Sequence, residues 1–288
     1  MIKFSISIRG DKMYRLFKST RIPLQIIVIV GIISAVIFLI RQDQIDSMWF
    51  YCIFILEILA SFILILLIVE KIANAKFNKI NRLRSDKLAF QEYIDAYIQL
   101  LTNIETHQAS KKLRDIQKSY VLCNLSAGYM DLGDEETAYQ ALTQIDDFPD
   151  NASGALLKFV YFNNLFVYYS RKENIEEMTI ALDNMEEALK AKKISKATRA
   201  KYQYFLMSAK FILNIQNGNF EGSEEFFEAS LSEAGTLLAN VAQNGTLGKI
   251  YIHNKKFDKA KEALNFTIAN SKDSYYGITA KELLDQIS

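Results

Sequence analysis

The chain has 288 residues and a mass of 33.0 kDa, with half of its residues hydrophobic and a formal net charge of +1. Only 11 glycines and 2 prolines occur, and neither type lies between Gly31 and Gly128, which argues for helices throughout. The near-neutral charge conceals a split: residues 1–87 carry 13 Lys/Arg against 6 Asp/Glu, and residues 88–288 carry 21 against 27. An acidic larger part disfavours nucleic-acid binding, which draws affinity from phosphate neutralisation. The two cysteines, Cys52 in an apolar run and Cys123 in a helical pattern, imply no disulfide framework and a reducing compartment.

Residues 1–21 form a basic amino-terminal segment with Lys3, Arg9, Lys12, Arg15, Lys18 and Arg21 against the single acid Asp11. Two apolar runs follow, IPLQIIVIVGIISAVIFLI over 22–40 and MWFYCIFILEILASFILILLIV over 48–69, separated by RQDQIDS. A run of roughly 20 residues at about 1.5 Å per residue crosses a hydrocarbon core of about 30 Å. The short link makes the pair an antiparallel transmembrane hairpin. The first run is longer than a signal-peptide core and lacks a small-residue cleavage site, so an uncleaved span is expected. Pro23 suits a first helical turn, where no amide donor is needed. Cations cluster before the first run and after the second, so the positive-inside rule places both termini in the cytoplasm, with an integral cell-membrane location. Trp49, Phe50 and Tyr51 fit the outer interface.

Glu57 is the one acid deep in a span, where an ionised side chain costs several kcal/mol. It is either protonated and satisfied within the hairpin or a homo-oligomer, or a carboxyl that binds a partner or couples to an ion. Gly31 and Ser34 on the first run lie at similar depth, giving close approach and a hydroxyl. Residues 70–108 read as a basic juxtamembrane helix or linker. Its Lys71, Lys76, Lys79, Arg82 and Arg84 either serve topology alone or face anionic lipid headgroups, at about 1 kcal/mol per cation.

From residue 109 a two-helix pattern repeats. Leu122, Leu125 and Tyr129 precede the turn Leu132-Gly133-Asp134, then Ala138, Leu142 and Ile145 mark a second helix expected to end near Pro149. Leu247, Gly248 and Tyr251 precede the turn His253-Asn254-Lys255-Lys256, then Phe257, Ala260 and Leu264 follow. Here Gly248 would let the paired helices approach, Tyr251 and Phe257 would fill the seam, and Ala260 would avoid a clash. Weaker copies run through Phe162, Leu165, Phe166, Tyr169, Met178, Leu182 and Met185, and through Met207, Phe211, Gly218, Ser223 and Phe227. Over roughly 110–270 the pattern resembles a tetratricopeptide repeat, with copies spaced by 40, 45 and 37 residues in place of 34. The fold class expected is therefore all-α: an amino-terminal transmembrane helical hairpin, then a tetratricopeptide-like α-solenoid over 109–288, closed by an amphipathic helix over 276–287.

The resemblance implies a domain that holds a peptide or helix of a partner protein on the surface lined by the first helices. The polar residues that carry over by position are Asn124, Asn163, Asn164, Arg171 and Lys249, whose side chains suit a peptide backbone or a carboxylate. The departure from the Lys/Asn arrangement of relatives that clamp chaperone carboxy-termini argues against that ligand. His107 and His253 stand apart from each other and from cysteine, so no metal site is expected. No nucleotide loop, dinucleotide fingerprint, nucleophile elbow or kinase set occurs, and no cofactor or catalytic residue is expected. Glu135-Glu136 and Glu224-Glu225 fall where second helices start, as the helix dipole favours. Three readings follow: a membrane-anchored scaffold for a protein or peptide, an accessory subunit of a membrane transporter or export complex engaged through the hairpin and Glu57, and a peptide sensor acting through the repeat groove.

Overall fold

A computed structural model of the chain describes residues 31, 47–106, 111–191, 194–271 and 273–288. Regular structure among the described residues is entirely α-helical, in eleven helices. The all-α expectation holds, and the helices form a repeat-like stack of pairs. The described residues fall into two compact units that divide between Lys79 and Ile80.

Helix α1 (Ser47–Ser85) is 39 residues long. Among its described side chains Ile55, Leu56, Leu59, Ile63, Leu64, Leu67 and Ile68 are all exposed, by 37–64%. Among the described residues no helix is long and apolar enough to cross a membrane. Of the first apolar run only Gly31, which is helical, is described, and most side chains of 48–69, Glu57 included, lie outside the described residues. Residues 1–21, residues 41–46 and His107 also lie outside them.

The unit from Ile80 to Ser288 is built from the end of α1, then α2 (Phe90–Thr106), α3 (Lys111–Leu132), α4 (Glu135–Thr143), α5 (Ala152–Arg171), α6 (Ile175–Lys190), α7 (Lys196–Gln216), α8 (Ser223–Ser232), α9 (Leu237–His253), α10 (Phe257–Ser271) and α11 (Tyr275–Asp285). Short turns join α3 to α4, α5 to α6, α7 to α8 and α9 to α10, so successive partners run antiparallel. Within the sequence expected to be juxtamembrane helix or linker, the chain breaks at 86–89, with Leu88 in the left-handed region at φ 52°. Amides of Asp86 and Lys87 close this turn on the Arg82 carbonyl, and α2 then packs along α3. No glycine or proline marks the break.

Local chemistry explains most boundaries. Gly133 takes φ +89° after α3, and Asp134 then caps α4 by accepting from the Thr137 amide. Asn174, Ser195 and Thr236 cap α6, α7 and α9 in the same way. Glu135 and Glu136 lie in the first turn of α4, and Glu224 and Glu225 in that of α8, beside the positive dipole ends. Helix α4 stops at Thr143, earlier than the expected end near Pro149. The Pro149 backbone instead packs beneath Gly154 of α5, where any Cβ would overlap it.

The last pair behaves as its pattern suggests at three positions and not at the fourth. Tyr251 and Ala260 are buried, and a Cβ on Gly248 would stand 2.7 Å from Leu264 Cγ. Phe257, expected in the seam, is 46% exposed: it is the first residue of α10 and precedes that helix's buried residues, which start at Ala260. His253 is exposed, yet its ring stacks on Phe220 with centroids 3.7 Å apart.

Candidate partner-binding face

The first helices of the pairs are tied to one another by side-chain hydrogen bonds, three of them to neighbouring backbone. Asn164 Nδ2 of α5 donates to the Cys123 carbonyl of α3 at 2.8 Å, and Arg171 Nη1 donates to the Met130 carbonyl at 2.6 Å. Gln216 Nε2 at the end of α7 donates to the Ser170 carbonyl at 3.3 Å. Further on, Gln243 Nε2 of α9 donates to Tyr204 Oη of α7 at 2.9 Å. Each bond gives a polar side chain a partner where one helix meets the next, so the stacking is directional as well as apolar.

At the carboxy-terminal ends of α3 and α5 these contacts become a polar clasp. Asp131, 2% exposed, lies in the last turn of α3, where the dipole disfavours an acid. Its two oxygens are shared: Oδ2 accepts from Arg84 Nε at the end of α1, and Oδ1 accepts from Tyr276 Oη of α11 at 2.9 Å. Arg171 stands 3.4 Å from the centre of the Tyr275 ring, within cation–π range. Burial works to lower the Arg84 pKa, but the Asp131 carboxylate outweighs it and the guanidinium is held firmly charged. Burial, with the Asp131 charge adding to it, pushes the Tyr276 hydroxyl well up, so it stays a donor. Tyr93, beneath Arg84 at 5.9 Å, is also raised by burial and donates to Asn124 Oδ1 at 3.0 Å.

Of the residues singled out from sequence, Asn124 is engaged by Tyr93 and by the Tyr120 carbonyl, and Asn164 and Arg171 by α3. Asn163 and Lys249 are half-buried on α5 and α9, and no contact joins them to the clasp. Lys71, Lys76, Lys79 and Arg82 are exposed, with Arg82 Nε 3.8 Å from Asp86. Arg84, grouped with them by sequence, instead turns inward to neutralise Asp131. Asp131, Tyr275 and Tyr276 were not singled out. An acid in the last turn of a helix was the one available signal that a cation must lie near. Among the described residues no group of three His, Cys, Asp or Glu could hold a metal ion. Cys123 is buried, and burial pushes its thiol pKa up, so it is unreactive. Comparison with protein-family models, curated proteins and solved structures gives no match.

Proposed function

We propose that the chain is a membrane-anchored cytoplasmic scaffold, in which a hairpin over 22–69 tethers a tetratricopeptide-like solenoid that binds a protein or peptide through its first-helix face. The observation that carries the binding reading is the stack of antiparallel pairs, whose first helices are held in register by Asn164, Arg171 and Gln216. A rigid, polar-studded helical face is suited to an extended or helical peptide. The anchor reading is supported by the exposed aliphatic surface of α1. Covering one such side chain is worth about 1.5–3 kcal/mol, so the seven together favour a lipid or protein environment over water. The cations on either side of the two runs favour a cytoplasmic solenoid, and Lys71, Lys76 and Lys79 would lie within reach of anionic headgroups.

Photo-crosslinkers at Asn163 and Lys249 in intact membranes test the scaffold. A single captured protein, kept when residues 80–288 are expressed alone, is the expected result; no capture by either the full chain or that fragment rejects it. The aliphatic surface of α1 also supports the transporter-subunit reading, with Glu57 as its polar contact. Under that reading Glu57→Leu abolishes assembly with the membrane partner, and unchanged assembly dismisses it.

A further inference from the structure

Helix α11 does more than end the stack. It packs on α10 and α9 as the next helix of a repeat array would, and it also reaches back to the first pair. Tyr276 bonds a residue 145 positions earlier in the chain, and Tyr275 covers Arg171. We propose that the end of α3 and α5 now covered by these two tyrosines is the partner site itself, that α11 is its resident occupant, and that the external ligand is a helix opening on two adjacent aromatic residues, the second a tyrosine. This builds on the scaffold reading above and names the chemistry it selects.

Three features make α11 an exchangeable occupant. It has eleven residues, of which Gly277 and Ala280 are fully buried and Tyr275 and Tyr276 half-buried, while Ile278 is 50% exposed. A helix of that length is marginal without strong packing. Its start carries no side-chain cap, since Ser274 Oγ donates to the Ser271 carbonyl and leaves the first amides of α11 without it. By contrast α10 buries Ala260, Ala263, Leu264, Thr267 and Ser271, a larger share of its length than α11 places in the core.

The site beneath is also preorganised without its occupant. Asp131 keeps the Arg84 bond when Tyr276 leaves, and Arg171 keeps the Met130 carbonyl when Tyr275 leaves. Both recognition groups therefore hold their positions, which lowers the ordering cost for an incoming helix. What they read is specific: a hydroxyl donor for the free carboxylate oxygen, and one residue earlier a flat ring for the guanidinium.

The test uses the full-length chain in lipid nanodiscs and a fluorescent synthetic peptide of residues 273–288 as the probe. Replacing Tyr275→Ala and Tyr276→Ala together weakens the resident helix and leaves the site intact. The peptide should bind this variant roughly tenfold or more tightly than wild type, the loss of one charge-assisted hydrogen bond being enough for that factor. A peptide carrying the same two replacements should not bind. Hydrogen exchange on the wild-type chain should show α11 amides opening ahead of those of α10. The proposal is overturned if the peptide fails to bind the double variant, if it binds both chains equally, or if α11 opens only together with α10. These readouts involve no external partner, so their failure leaves the crosslinking test of the scaffold reading to stand or fall separately.

Discussion

Asp131 shows how a single side chain organises its surroundings. A carboxylate at a helix carboxy-terminus and 2% exposed is neutralised by the Arg84 guanidinium on one oxygen, and the Tyr276 phenol takes the other. Asp131→Ala leaves the half-buried Arg84 guanidinium without its carboxylate and should cost about 2–3 kcal/mol in urea unfolding of residues 80–288. A second cluster sets the acid limit. Glu224 is held below the usual carboxylate range by its hydrogen bond from Lys256, and Glu228 by those from Tyr251 and Lys259. The folded chain therefore binds protons at these sites less readily than the unfolded one. Their contribution is fully present above the unfolded glutamate value of about 4.3 and is lost as pH falls through the lower folded values. Unfolding midpoints should drop below about pH 4.3, and Glu224→Gln with Glu228→Gln should flatten that drop.

At the scale of elements, the pairs depend on how closely two helices approach. Gly248 of α9 faces Leu264 of α10, which is fully buried and has no room to retreat. Gly248→Ala should destabilise by about 1–3 kcal/mol through overpacking, read as a lower thermal midpoint with unchanged helix content. Gly128 of α3 stands in a similar relation to Tyr93 and Ile94 of α2, each 2.9 Å from an added Cβ, so α2 is closely packed against α3. Boundaries marked by a cap or glycine, such as Gly133-Asp134 and Asn174, were legible from sequence. The turn at 86–89 was not, because its left-handed residue is Leu88 and its hydrogen bonds run to main-chain carbonyls of α1. Nor was the exposure of Phe257, since hydrophobic spacing does not say at which residue a helix begins to bury its face.

For the chain as a whole, the compact unit begins at Ile80 and takes in the last turn of α1. Arg84 bonds Asp131 from there, and Asn81 accepts from Tyr97 Oη at 3.1 Å. A fragment of residues 88–288 loses both contacts and leaves Asp131 half-partnered. It should be less stable than residues 80–288 by about 3 kcal/mol, or roughly 6–12 °C in melting temperature at this size. Equal melting temperatures would mean that the α1 turn adds nothing to the unit.

Sequence alone determined what is local: the absence of breakers made helices, spacing of apolar residues marked the paired pattern from Leu122 to Leu264, and turn residues placed most of the ends. It could do so because helix formation and capping are decided by neighbours within about four positions. Only the tertiary structure decided which polar side chains are spent on the fold. Arg84, Asp131, Arg171 and Tyr276 are separated by up to 192 positions and meet because the stack brings α1, α3, α5 and α11 to one place. Charge pairing and ring stacking act over a few ångströms of space, and no period in the chain encodes that proximity.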